Sequence, residues 1–289
     1  MKGEPSASVS EARWKQYIQW VMYDSGVSNA GYRKRYGYRT LISYLLDQRA
    51  NNTQSEDLWA IPHYPFHACK DGLSLFLGFL DDLEYGDEVG LVTYDSSSRV
   101  EDELNEADIA EIVSLGSDRI TDELDKIDII QRHKQAAHYA SYTGLGYGIR
   151  DARDLMSDER RYGARPALLV MTDGRANRRP SGWRLPSWSR WSDVTDWDNN
   201  GSANYSTSDR NKQYAFYQAK LCMEEGYVIH TMSVGSSADG NLMEAIALSS
   251  GGVWVDSPGG ATIDDLREQL LEAFGGIAAA VPPARLSHE

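Results

Sequence analysis

The sequence predicts an α/β fold built on a doubly wound, mostly parallel, Rossmann-like sheet. Two features predict it. Short apolar runs recur at 89–94, 167–171 and 227–234, each followed by a turn residue, and the segments between them carry apolar residues at helical spacing. Strands that are apolar on both faces and alternate with helices require helices on both sides of one sheet.

Residues 1–64 hold an amphipathic stretch at 14–22, an aromatic and basic segment running from Arg33 to Arg39, and an apolar run at 41–46. None of these reads as a buried parallel strand, so 1–64 is expected to be an extension packed on the domain. From Pro65 the pattern changes. Ala68, Leu73, Leu75, Phe76, Phe79 and Leu80 make an apolar helical face, which Gly86 and Asp87 close before the buried strand at 89–94. Residues 109–115 and 120–130 read as helical or edge-like, 144–156 as a helix, and 167–171 as a strand ending in Thr172-Asp173-Gly174. A helix at 212–225, a strand at 227–234, a helix from Leu242, a short strand at 253–255 and a closing helix at 263–277 complete the domain. It spans 65–280, with 281–289 as a tail. The insertion at 180–210 carries Trp183, Trp188, Trp191 and Trp197 without periodicity. It reads as a surface loop at the carboxyl end of the sheet, where ligands bind in such folds.

The net charge of −14 argues against a general nucleic-acid or anionic-membrane binder, because both need clustered Lys and Arg. Metal ions and basic partners fit that charge better. Cys69 and Cys222 are too few and too far apart for a disulfide framework or a thiolate zinc site, and read as buried small residues. The longest apolar run falls well short of the ~20 residues that cross a bilayer. As given, the chain reads as soluble.

Two segments carry the chemistry. Ser141-Tyr142-Thr143-Gly144-Leu145-Gly146 leads into a helix, and 168–174 is a strand that ends in an acid. Both belong at the carboxyl edge of a parallel sheet. A hydroxyl and a carboxylate meeting there are hard oxygen donors, suited to Mg2+, Mn2+ or Ca2+.

On these residues the chain resembles the von Willebrand factor type A (VWA) family. The helix and strand at 65–94, the Thr-Gly-Leu-Gly loop, Thr172-Asp173-Gly174, the strand into Ser233-Val234-Gly235 and the turn at Gly251-Gly252 follow in that family's order. The resemblance covers about 65–280 and implies a non-enzymatic protein-interaction or adhesion module. It also implies a metal-ion-dependent adhesion site for Mg2+ (or Mn2+/Ca2+), with Thr143 and Asp173 as ligands. A protein partner would complete the metal shell with an acidic side chain. The family's Asp-x-Ser-x-Ser motif, which follows its first strand, has no counterpart before residue 65. The expectation is therefore a sheet lacking its usual first central strand, two of five side-chain ligands, and impaired or absent metal binding. Because that motif is often followed by Met, the opening Met1-Lys2-Gly3 reads as starting directly after it. Residues 1–64 further resemble an insertion of bacterial VWA proteins related to tight-adherence pilus assembly, which implies a parent anchored in the cell envelope.

Several patterns have plainer readings. Asp95-Ser96-Ser97-Ser98 reads as a polar turn. Asp24-Ser25-Gly26 has no apolar strand before it. His63, His67 and Cys69 read as loop residues, because Pro65 interrupts a regular helical pair. His230 falls within a strand and belongs to no nucleophile arrangement. Gly144, Gly146 and Gly148 mimic a dinucleotide fingerprint without its leading strand. Two rivals stay open: a nucleotide- or phosphate-binding α/β enzyme using that helix start, and a metal-independent scaffold.

Overall fold

The computed structural model describes residues 66–104, 113–134, 142–235 and 237–257, together with Gln19 and Ser25. Apart from those two, the described residues belong to one of the two compact units into which the chain divides, Tyr64–Lys134 with Tyr139–Glu289. The segments 1–18, 26–65 and 258–289, with the expected closing helix at 263–277, lie outside the described residues.

The centre is a parallel three-stranded sheet. Its strands are β5 (Ala167–Thr172), β6 (Val228–Val234) and β7 (Trp254–Ser257), with β6 in the middle. Parallel register runs from Ala167 opposite Val228 to Thr172 opposite Ser233, so β5 and β6 end level at their carboxyl edge. Period-two alternation divides the side chains between two faces. Leu168, Val170 and Ile229 join a core with α3 (Leu145–Glu159), α5 (Arg210–Glu224) and α6 (Gly240–Ser250). Leu169, Met171, Met232, Val234 and Val255 pack instead against Cys69, Leu75, Phe76 and Phe79 of α1 (Phe66–Leu83). Helices thus cover both faces, as the apolar run of β5 and the burial of nearly every side chain of β6, His230, Thr231 and Ser233 included, require.

The remaining strands are antiparallel and short. β1 (Val92–Tyr94) pairs with β2 (Ser98–Val100), and β3 (Glu103–Leu104) pairs with β4 (Val113–Ser114). The expected buried strand at 89–94 is therefore corrected to three residues of a partly buried hairpin arm, with Val89 in a lone bridge to Thr121. The edge-like stretch at 109–115 yields β4, and the helix in 120–130 is α2 (Leu124–Arg132), whose Ile127 and Ile130 pack with Leu77 of α1. His67 and Cys69, expected in a loop, lie in the first turn of α1, which begins directly after Pro65. Proline there supplies no N–H, a loss tolerated where a helix starts. Among the described residues β5 is paired on its β6 side alone. Across its other edge the Tyr94 hydroxyl donates to the Met171 carbonyl.

The 180–210 insertion contains the short helix α4 (Trp191–Thr195) and is bound to the core by aromatic contacts. The Trp191 ring meets Phe216 edge-on at 5.7 Å, Trp197 stacks on Phe216 at 6.4 Å, and Trp183 meets Tyr214 at 5.2 Å. Without regular periodicity it still roofs α5. At its far turn the Asp196 carboxylate accepts the Gly201 and Asn200 N–H groups.

His230 and Gly252 generate two tests. His230 is buried in β6, where burial holds its imidazole below the usual histidine range, and its Nδ1 accepts the Val253 N–H at 3.1 Å. A base with a depressed folded pKa destabilises the fold on acidification, so unfolding free energy should fall as pH drops through the ordinary histidine range. Urea titrations between neutral and acid pH measure it, and an unchanged stability would contradict the buried neutral ring. A Cβ on Gly252 would sit 2.1 Å from the Ile229 carbonyl oxygen, whereas Gly251 has open space but a φ of 76°. Gly252→Ala should cost at least as much as the ~1–3 kcal/mol typical of overpacking. Gly251→Ala should cost nearer ~1 kcal/mol.

Candidate functional site

At the carboxyl edge of the sheet the loops that carry the two expected ligands meet. Thr143 lies just before α3, and Asp173 follows the last residue of β5. Asn177 ties the two loops: its side-chain oxygen accepts the Thr143 N–H at 2.8 Å, and its own N–H donates to the Thr143 carbonyl at 3.0 Å. Thr143 Oγ1 then lies 2.6 Å from the point a Cβ on Gly174 would occupy. Glycine after Asp173 is what lets the hydroxyl approach. The turn itself is closed by Thr172, whose hydroxyl donates to the Gly174 carbonyl at 3.2 Å.

Burial pushes the Asp173 carboxyl above the ordinary carboxylate range, and among the described residues no cation is paired with it. Its surroundings are neutral. Burial, reinforced by the Asp173 charge, pushes the Cys69 thiol well up, so the thiol is neither a reactive nucleophile nor a ready metal ligand. Burial likewise raises the Tyr94 hydroxyl. An uncompensated acid among neutral groups has a standing affinity for a cation.

The donor set measures what that cation could be. Mg2+, Mn2+ or Ca2+ takes on the order of six oxygen ligands, and Mg2+ gives up its water reluctantly. Thr143 and Asp173 provide one hydroxyl and one carboxylate. Among the described residues no group of three or more His, Cys, Asp or Glu side chains converges. These two side chains alone do not fit a tightly held divalent ion.

The glycines of the helix start have a structural explanation. A Cβ on Gly144 would lie 2.6 Å from the Asp95 carbonyl oxygen, on Gly146 2.5 Å from the Tyr214 ring, and on Gly148 2.4 Å from the Tyr94 ring. The Gly144 N–H already donates to the Asp95 carbonyl. Their spacing serves close packing of α3, and one of the amides that would greet a phosphate is taken. Asp95 itself stands in the β1–β2 turn, where it accepts the Ser97 N–H at 2.9 Å and pairs with Arg99 at 3.1 Å.

Sequence reasoning missed Asn177 and Arg178. Neither sits at a diagnostic spacing, and only the fold places Asn177 on the Thr143 loop and the Arg178 guanidinium 3.4 Å from the centre of the Tyr142 ring.

No family model matches the chain, and no curated protein does. Among solved structures it is similar to an aerotolerance-related membrane protein from Bacteroides fragilis NCTC 9343, at 12% identity and TM-score 0.45, covering 74% of this chain and 90% of that one. It is similar to the vWF domain of the type V pili tip protein Mfa5 from Porphyromonas gingivalis, at 12% identity and TM-score 0.44, covering 77% and 90%. A third is the conserved hypothetical protein BatB from Bacteroides thetaiotaomicron, at 12% identity and TM-score 0.39, covering 70% and 86%. No helix among the described residues is long and apolar enough to cross a membrane.

The Asn177 clamp makes a direct prediction. Asn177→Ala removes the side-chain acceptor of the Thr143 N–H and leaves only the backbone bond to the Thr143 carbonyl. Amide exchange at Thr143 should accelerate, with about 1 kcal/mol lost from global stability. Unchanged protection at Thr143 would mean that other contacts hold the loop.

Proposed function

We propose that this chain is a VWA-like protein-interaction module without catalytic activity, which binds a protein partner over the carboxyl ends of β5 and β6. The observation that carries the proposal is the contact of the Thr143 loop with the Asp173-Gly174 turn, held by Asn177 and permitted by Gly174, against which the Thr143 hydroxyl lies. Two hard oxygen donors at the end of a parallel strand are the remnant expected of a metal-ion-dependent adhesion site.

Metal dependence belongs to the complete site that the resemblance implies. With two side-chain donors, this chain binds Mg2+ or Mn2+ weakly, and its partner contacts rest mainly on the protein surface. The second reading is a metal-independent scaffold, favoured by the short donor set: Thr143 and Asp173 offer one hydroxyl and one carboxylate where a divalent ion takes on the order of six oxygens.

Three measurements separate the readings. Calorimetric titration with Mg2+ and Mn2+ should show no tight one-to-one binding; a sharp stoichiometric isotherm would establish a working metal centre. Thermal unfolding should be unmoved by nucleotides, because ligands that bind the native state raise the transition by mass action. A clear upward shift with a nucleotide would replace the module by a nucleotide-binding enzyme. Once a partner is in hand, Asp173→Ala should leave binding intact for a scaffold and abolish it for a metal-bridged contact.

A further inference from the structure

Between Asp173 and Asp193 the chain carries Arg175, Arg178, Arg179, Arg184 and Arg190 and not one acidic residue, in a protein of net charge −14. Elsewhere Arg99, Arg119, Arg132, Arg150, Arg153 and Arg161 each hold a carboxylate at 3.1 Å or closer. Among the described residues none of the five between 175 and 190 forms such a pair. Arg175, Arg184 and Arg190 are exposed. The Nε atoms of Arg178 and Arg179 are buried without a hydrogen-bond partner. Arg179 also donates through its Nη1 to the Pro180 carbonyl at 3.2 Å, so the donors this stretch offers to a partner are chiefly the exposed guanidinium groups of Arg175, Arg184 and Arg190.

The stretch is also held in place. At its start Asn177 is bonded to the Thr143 loop, and the Arg178 guanidinium lies over Tyr142, itself 47% exposed. Further on, Trp183 packs against Tyr214 and Tyr217, and Trp191 packs on Phe216 while its Nε1 donates to the Tyr205 carbonyl at 3.0 Å. Between these two anchors the chain turns outward, leaving Trp188 80% exposed.

Guanidinium groups present planar forks that match carboxylates two bonds at a time, and aromatic faces beside them cover the stems of whatever is gripped. A nucleic acid offers anions too, but it extends beyond a patch of this length into a surface dominated by like charge. A short acidic stretch of polypeptide meets only the patch. We propose that residues 175–190 form a docking surface for an aspartate- or glutamate-rich segment of a protein partner, gripped by arginine–carboxylate pairs and needing no metal. This rests on the reading of the chain as an interaction module and names the chemistry of its partner.

The test is fluorescence anisotropy with the full chain, a short labelled peptide of alternating glutamate and serine, and EDTA throughout. The peptide should bind, and binding should weaken steadily as salt rises. The doubly substituted Arg184→Glu/Arg190→Glu chain, altered at two exposed positions, should bind about tenfold more weakly or worse. Arg184→Lys/Arg190→Lys, which keeps charge but loses the fork, should fall between. No binding, or equal binding by the Glu variant with an unchanged unfolding curve, would overturn the proposal. So would tighter binding of a single-stranded oligonucleotide or of anionic lipid vesicles than of the peptide. A binding signal that needs Mg2+ restored would move the contact to Thr143 and Asp173 and likewise overturn it. Nucleotide protection in thermal unfolding would defeat the module reading by itself and leave the peptide result standing, so the two failures are distinguishable.

Discussion

The close approach of α3 to its neighbours is the constraint on which the rest of the architecture depends. Gly144 and Gly148, one turn apart, bring that helix against the β1–β2 hairpin at Asp95 and Tyr94. Gly146, on the other side, seats the Tyr214 ring of α5. The helix is wedged between two elements with no room for a methyl group on either flank. That wedge fixes where α3 begins, and with it the height of Thr143 above the sheet. The level ends of β5 and β6 do the same for Asp173. Where each of the two residues stands is thus set by packing several residues away from it.

Charge is distributed as deliberately as volume. Acidic residues outnumber basic ones by 43 to 29, yet the segment that follows Asp173 is wholly basic until Asp193. Buried ion pairing is used elsewhere: Lys134 reaches Glu101 at 2.6 Å with both side chains nearly enclosed. Such pairs recover desolvation only through good geometry. The arginines beside the carboxyl edge follow a different plan. Arg178 lies over the Tyr142 ring, Arg179 donates to the Pro180 carbonyl, and Arg175, Arg184 and Arg190 are exposed, in the stretch that follows Asp173.

Legibility in the sequence followed the strength of each local signal. β5 was plain because a continuous Leu, Val and Met run has few alternatives, β6 because Val228, Ile229, Met232 and Val234 frame a short strand-length segment, and α5 and α6 differ by only a few residues from their expected bounds. The two hairpins were not, since arms of two or three residues contain too little periodicity to separate from helix or edge. The placement of Thr143 just before a helix and of Asp173 just after a strand was legible through their flanking residues. Asn177 was not, because a side chain that ties two loops leaves no trace in spacing. The glycines at 144, 146 and 148 show the opposite case, a phosphate-like pattern whose cause is tertiary contact. In the 180–210 insertion, aromatic residues anchor to α5 at irregular intervals, so a segment without period still contributes to the core.

The two tryptophan anchors of that insertion have a practical corollary. Trp183 and Trp191 fasten the strand of chain between them at both ends, on rings that belong to α5. Between them Leu185 adds a third hold on the core, while Arg184, Ser187, Trp188 and Arg190 are exposed. Such a stretch behaves as a cassette with a fixed frame: the four exposed positions can be rewritten while Trp183, Leu185, Trp191 and the sheet beneath stay as they are. Evolution could change the chemistry of this surface at those positions without disturbing the fold, and a protein engineer could do the same.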